Sequence, residues 1–208
     1  MSYKVKVLYP GYSRLSSTRP TTDNVMEANC SCTLITGNLN IIVDTMTPWD
    51  SQKILKGLAD NSLTPGDINY VVCTHGHADH IGNNNLFLEA QHFVGLCHYF
   101  KDEFYSGPLD EGKEMLLDDG VKIIPTPGHT LSDVSVIVKS DDKVFAIVGD
   151  LFEKEEDIED EFLWRSAGSE DPEKQEKYRK YIIETADFIV PGHGPMFQVT
   201  PSMREKFV

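Results

Sequence analysis

Short apolar runs recur along the chain at residues 5–9, 32–35, 41–43, 70–73, 121–124, 134–138, 144–148 and 188–190. Runs of three to five such residues, rich in valine and isoleucine and in most cases flanked on at least one side by glycine, proline, asparagine or aspartate, have the length and composition of β-strands. Two stretches read differently. Residues 49–59 place Ile54, Leu55 and Leu58 on one helical face, as in an amphipathic helix. Residues 172–185 open on Pro172, which suits a first helical turn because no amide is needed there. Strands and helices mix throughout, and no internal repeat, low-complexity linker or compositional break divides the chain. The pattern predicts an α+β protein folded as a single domain over residues 1–208.

Composition agrees with a folded enzyme-sized domain. The chain has 208 residues, 40% hydrophobic and 25% charged, which excludes the disordered class. Its 19 basic and 33 acidic residues give a formal net charge of −14, a field that repels polyanions and anionic membranes. Contact with nucleic acid must then be local, and a bound metal would be a cationic focus in an acidic body. The N-terminal residues lack the apolar run of a signal peptide, and no stretch approaches the roughly 20 apolar residues of a membrane span, so a soluble, intracellular protein with no membrane partner is expected. Cys30, Cys32, Cys73 and Cys97 have no zinc-finger spacing and are too few for a disulfide scaffold; they read as free or buried thiols. Seven of the nine residues 153–161 are acidic, and a solvated loop or helix face is the expectation there.

The chemistry concentrates at THGHADH, residues 74–80, directly after the run 70–73. His75, His77, Asp79 and His80 offer four metal-ligating side chains within six residues, with Gly76 and Ala78 keeping the other positions small. A strand end suits such a cluster, because the strand anchors the backbone while the loop lets side chains converge. The same arrangement recurs three times. His129 follows 121–124 through Pro125-Thr126-Pro127-Gly128, Asp150 follows 144–148 through Gly149, and His193 follows 188–190 through Pro191-Gly192. Proline and glycine force turns at these places, so all three side chains are expected at one sheet edge. Five histidines and two aspartates suit zinc, although imidazole with carboxylate also suits iron or manganese.

The pattern THxHxDH followed by separated His, Asp and His resembles that of the metallo-β-lactamase superfamily, over nearly the whole chain. The resemblance implies a four-layer αβ/βα sandwich, with two β-sheets face to face and helices outside. It implies a dizinc centre in which His75, His77 and His129 hold one Zn2+ ion, Asp79, His80 and His193 hold the second, and Asp150 bridges them. A bridging hydroxide is then the nucleophile of hydrolysis, and Asp79 is the catalytic residue that holds it or passes a proton to the leaving group. Asp44 matches an aspartate that supports the metal loop. The usual Asp-Thr-Gly is here Asp44-Thr45-Met46, so a backbone conformation needing glycine is expected to be altered.

Such a centre hydrolyses thioesters, lactams or phosphodiesters, so the surroundings must decide the substrate. The stretch after His193 is too short for the helical domain of glyoxalase II enzymes. The inserted domain of mRNA-cleavage nucleases, the tRNA-clamping arm of ribonuclease Z and a secretion signal also have no counterpart. Residues 149–199, including Phe152, Trp164, Gln175 and Arg179, resemble one animal branch of the superfamily, as does Tyr9-Pro10-Gly11-Tyr12-Ser13-Arg14. That resemblance implies an endoribonuclease that processes the 3′ end of histone pre-mRNA in cytosol and nucleus, with RNA as partner and a homodimer as the family-level expectation. Arg14, Arg19, Arg165 and Arg179 are candidate phosphate contacts, set against solubility or structural pairing. Phe152 and Trp164 are candidate base-stacking groups, set against core packing. A glyoxalase-II-like thioesterase or small-ester hydrolase, and a non-catalytic metal- or ligand-binding protein, remain alternatives.

Overall fold

Strands apolar at every position suit a sheet covered on both faces, and the runs 41–43 and 70–73 occupy such places. In the computed structural model, which describes residues 2–18 and 25–207, they form β5 (Ile41–Val43) and β6 (Tyr70–Cys73). These lie within a seven-stranded sheet. Its other strands are β1 (Lys4–Tyr9), β4 (Cys32–Thr36), β7 (Gln91–Val94), β8 (Cys97–Phe100) and β9 (Glu103–Tyr105), in the order β1-β4-β5-β6-β7-β8-β9. A six-stranded sheet follows in sequence order: β10 (Met115–Asp118), β11 (Val121–Pro125), β12 (Val134–Ser140), β13 (Lys143–Gly149), β14 (Phe188–Pro191) and β15 (Phe197–Gln198). A separate hairpin joins β2 (Tyr12–Leu15) to β3 (Met26–Asn29).

Alternation along each strand sorts the side chains into layers. Ile41, Val43, Val72 and Phe93 of the first sheet meet Ile123, Val136, Ile147 and Val190 of the second in one buried core. The intervening Ile42, Val71 and Cys73 pack on Ile54 and Leu58 of helix α1 (Ser51–Ala59). On the other side, Ala146, Val148 and Ile189 pack on Ile182 and Ile183 of α3 (Pro172–Thr185). Two short helices, α2 (Glu161–Ser166) and α4 (Pro201–Lys206), complete that outer layer's sequence. The order helix, sheet, sheet, helix is the four-layer αβ/βα sandwich that the family resemblance implied.

Pairing of β5 with β6, and of β13 with β14, is parallel. Parallel neighbours need a crossover connection, and α1 and α3 supply these two. The carboxyl ends of β6, β13 and β14 therefore open toward loops on the same rim, where α/β proteins place ligands.

Three expectations need correction. The helix expected over 49–59 begins at Ser51, after a 3₁₀ turn at Pro48–Asp50 that leaves Trp49 88% exposed. The strands β2, β3, β7, β8, β9, β10 and β15 are not among the predicted apolar runs, each being short, two to four residues, and carrying at least one polar residue. The acidic run is not uniformly solvated: Glu153 and Asp157 are buried, while Glu155, Glu156, Glu159, Asp160 and Glu161 are exposed. Arg19 lies outside the described residues. Among them, no helix is long and apolar enough to cross a membrane.

Candidate metal centre

The loop after β6 is held from below by Asp44. Its carboxylate accepts the Thr74 amide at 2.7 Å, the Thr74 hydroxyl, and His80 Nδ1 at 3.0 Å. The loop's far side is tied down as well: Thr45 N donates to His80 O, and the Asn83 amide donates to Thr45 O and Thr47 O, each at 2.7 Å. Asp44 and Met46 both have φ of +58°. The glycine-type conformation is thus kept by a methionine, against expectation. The 3% exposed Met46 side chain is buried beside Ile54 and Phe87, so its packing opposes the left-handed strain.

All seven side chains proposed from sequence converge on the rim. His75 Nε2 and His129 Nε2 lie 2.9 and 3.1 Å from His77 Nδ1. Asp150 Oδ2 is 3.3 Å from His129 Nε2 and 3.3 Å from His193 Nε2, whereas its Oδ1 is 3.2 Å from His80 Nε2. Asp79 Oδ2 completes the second group, 3.9 Å from His80 Nε2 and 3.8 Å from His193 Nε2. His75, His77, His129 and Asp150 form one cluster of donor atoms within 4.8 Å of one another, and Asp79, His80 and His193 form another. Asp150 stands between them.

Hydrogen bonds on the far ring nitrogens aim the near ones. His129 Nδ1 donates to Gly168 O at 2.6 Å, His193 Nδ1 to Asn29 O at 3.0 Å, and His80 Nδ1 to Asp44. In each ring this leaves the Nε2 lone pair for the cluster. Two glycines make the approach feasible. Gly149, with φ of +53°, has no room for a Cβ against Thr74, and a Cβ on Gly192 would strike the Asp150 carboxylate.

The donor set fits a divalent metal. His80 Nε2 and Asp150 Oδ1 are fully buried, lack hydrogen-bond geometry to each other, and have no other partner among the described residues. Buried polar atoms left this way are destabilising unless something satisfies them, and a cation would satisfy both. Separations of 2.9–3.1 Å between the first cluster's nitrogens approach the spacing of about 3.3 Å that zinc–nitrogen bonds of about 2.0–2.1 Å give in a tetrahedron.

Electrostatics divide the site. Burial, reinforced by the neighbouring histidines, drives His75 well below the ordinary imidazole range, and burial also lowers His129. Both are then neutral, as a ligand must be. At His193 burial acts downward too, but the Asp150 carboxylate outweighs it and moves the ring up to about 9. Asp150 is raised by burial, yet His80, His193 and His75 together hold it well below the usual carboxylate range.

Glu153 was missed as a site residue. It is 5% exposed and its Oε2 lies 3.9 Å from His193 Nε2. Burial and the nearby Asp150 charge push its carboxyl up to about 8. Its one sequence signal was its place three residues beyond Asp150, at the head of the acidic run.

A cleft of about 490 Å³ opens above the site. Ser13, Arg14, Met26 and Ala28 of the β2–β3 hairpin form one wall, and Leu163, Ser166 and Ala167 in and after α2 form the other. Of the candidate phosphate contacts, Arg14 lines this cleft while pairing with Glu27 at 3.1 Å. Arg165 pairs with Glu161 and Glu176, and Arg179 is buried on Asp157 at 2.8 Å. Phe152 and Trp164, at 0% and 1% exposure, are core residues and offer no stacking face.

Comparison with known proteins gives the same reading. The chain is 38% identical over 200 residues to metallo-beta-lactamase domain-containing protein 1 of Xenopus laevis, covering 95% of this chain and 82% of that protein. It is 43% identical over 164 residues to the Homo sapiens protein of the same name, of which it spans 59%. A Thermotoga maritima crystal structure assigned to the metallo-beta-lactamases superposes with a TM-score of 0.69 at 20% identity, over 95% of this chain and 100% of that one; this likeness is one of fold. The sequence profile of the metallo-beta-lactamase superfamily matches residues 25–193, a span that holds all seven converging side chains, and the chain belongs to that superfamily as a metallo-hydrolase with a candidate divalent-metal site.

Proposed function

We propose that the protein is a two-metal phosphodiesterase acting on RNA, with the 3′ end of histone pre-mRNA as the substrate implied by the resemblance of residues 149–199. The observation that carries the hydrolytic reading is the position of Asp150, whose Oδ2 lies 3.3 Å from His129 of one donor cluster and 3.3 Å from His193 of the other, while its Oδ1 lies 3.2 Å from His80. His75, His77 and His129 would hold one ion and Asp79, His80 and His193 the other, with Asp150 shared. When bound, two divalent ions, taken as Zn2+, supply a hydroxide at neutral pH and stabilise charge developing on the scissile group.

The chain's own residues do the rest. The His80, His129 and His193 rings are fixed in orientation by Asp44, Gly168 O and Asn29 O. Asp79 is the part-exposed carboxylate at the cleft, so the carboxylate oxygen not facing His80 and His193 is placed to take a proton from the attacking water and deliver it to a leaving oxygen. Among the described residues, Arg14 and Lys154 are the cationic side chains on the cleft wall, enough for one or two phosphates. A chain of net charge −14 then engages a short single strand rather than a long duplex track.

One observation favours a second reading. Met26, Ala28, Leu163 and Ala167 make much of the cleft wall apolar, which suits an acyl group, so a thioesterase or small-ester hydrolase is the competing assignment. Zinc-loaded protein is to be assayed on a histone pre-mRNA 3′ segment and on S-lactoylglutathione, with His77→Ala beside it. RNA cleavage abolished by the substitution is the expected result. Thioester turnover without RNA cleavage would replace the first reading by the second.

A further inference from the structure

We propose that Glu153 is an additional ligand of the second metal position, and that it gives this position a stronger preference for oxygen-seeking ions, Mn2+ or Fe2+, than the histidine-rich first position has. The inference rests on the two-metal reading above. Its ground is a buried carboxylate aimed at the site with nothing else to serve.

The Glu153 backbone is pinned at both ends. Its amide donates to Asp157 Oδ2 at 2.7 Å and its carbonyl accepts the His193 amide at 2.7 Å, so the side chain is directed by a rigid turn. At 5% exposure the carboxylate makes no hydrogen bond among the described residues. Its one contact of opposite sign there is His193 Nε2 at 3.9 Å. Donor atoms of Asp150, Glu153 and His193 all lie within 4.8 Å of one another, a grouping that adjoins the Asp79, His80 and His193 cluster through their shared histidine. A carboxylate buried without a partner is destabilised as the anion unless a cation compensates it or it takes up a proton. Arg179, the nearby buried guanidinium, is committed to Asp157 and to two backbone carbonyls.

The two positions then differ in chemistry. The first has three imidazoles and the shared Asp150, a four-donor set that matches tetrahedral zinc. The second has two imidazoles and three carboxylates, those of Asp79, Asp150 and Glu153. That donor number exceeds four, and its oxygen content moves the balance toward manganese or iron.

Metal-free protein is to be titrated with Mn2+, and separately with Zn2+ against a competing chelator. Free Mn2+ is counted by its paramagnetic resonance signal and bound metal by elemental analysis. Wild type, Glu153→Gln, Glu153→Ala and His193→Ala are compared, with thermal melts reporting the folded state of each. The wild type is expected to bind two ions. In both Glu153 variants the second Mn2+ should weaken about tenfold or more, with a smaller loss for Zn2+ and an unchanged first ion. His193→Ala calibrates the loss of the second position. Bound Co2+ gives a second readout: its visible absorption should intensify in Glu153→Gln, because fewer ligands make the field more nearly tetrahedral. Second-ion affinities for Mn2+ and Zn2+ that match wild type in both folded Glu153 variants would overturn the proposal while leaving the two-metal reading intact. Uptake of a single ion by the wild type, whatever the metal, would overturn both.

Discussion

Replacing Arg179 by methionine should remove much of the protein's stability while leaving every metal-ligating side chain in place. The 2% exposed guanidinium donates to Leu151 O at 2.8 Å, Asp157 O at 3.1 Å and Asp157 Oδ1 at 2.8 Å. It also stacks 4.0 Å from the Phe152 ring centroid and 5.0 Å from that of Trp164. Methionine keeps part of the stacking volume and none of the donors. Breaking a buried ion pair from one side costs about 3–5 kcal/mol. The lower end applies here, because burial already raises the Asp157 carboxyl against the pull of Arg179, and a carboxyl freed of that pull can take up a proton. A loss of about 3 kcal/mol lowers the melting temperature of a chain this size by about 6–12 °C. The assay is thermal and urea unfolding of wild type, Arg179→Met, Asp157→Asn and the double variant at pH 7. In the double variant no charge is orphaned, so it should be more stable than the summed single losses predict, by about 1 kcal/mol or more. An Arg179→Met loss under about 1 kcal/mol, or strict additivity, would refute the reasoning.

Other perturbations separate backbone, charge and site. Met46→Gly trades relief of left-handed strain worth about 1–2 kcal/mol against the loss of a buried side chain worth about 2–5 kcal/mol; a net destabilisation of about 1–3 kcal/mol is expected by urea unfolding, and a stabilised variant would show that strain dominates. Gly192→Ala should displace Asp150 and reduce retained metal at both positions by elemental analysis, whereas full retention would mean the carboxylate can move freely. Asp133, buried and accepting from the Thr130 amide at 2.7 Å, is pushed from its ordinary 3.8 up to about 7, chiefly by burial. The folded state therefore holds a proton that the unfolded chain releases. The stabilisation is full below about pH 4 and is lost as pH rises through about 7, a term of at most about 4 kcal/mol. Metal-free Asp133→Asn should accordingly lose less stability between pH 5 and 8 than wild type in urea melts; identical slopes would remove Asp133 from the account.

Much of the site was legible because its ligands follow a local rule. His129, Asp150 and His193 each sit just past an apolar strand and a proline- or glycine-bearing turn, so sequence position foretold a common rim. The layers were legible only in part: β5, β6, β13 and β14 are apolar on both faces, which marks strands covered on both sides, but the four-layer arrangement came from the family resemblance. The hairpin strands were hidden. β8 and β9 carry His98 and Glu103 among aromatic residues and lie at the open end of their sheet, where one-sided exposure dilutes the apolar signal. Burial of Glu153 and Asp157 was hidden for a different reason. It depends on the tertiary fold, which brings Arg179 of α3 onto Asp157 and His193 beside Glu153, and local composition says only that acidic runs prefer water. Phe152 and Trp164 show the converse, since aromatic side chains beside a site look like ligand contacts until the buried guanidinium between them is seen.

The rim is also a suture. Ser31 N donates to Gly192 O at 2.6 Å, Ser31 Oγ to Gly194 O at 2.9 Å, and His193 Nδ1 to Asn29 O, so the first half of the chain is stitched to the second where the donor clusters meet. His75, His77, Asp79 and His80 come from one sheet, and His129, Asp150 and His193 from the other. An ion held among them fastens two distant stretches of chain, much as a covalent cross-link would, and its binding free energy becomes part of the folding free energy. The proposed reactive centre would thus be the clasp of the sandwich, and starving the protein of metal is expected both to silence it and to loosen its grip on its own fold.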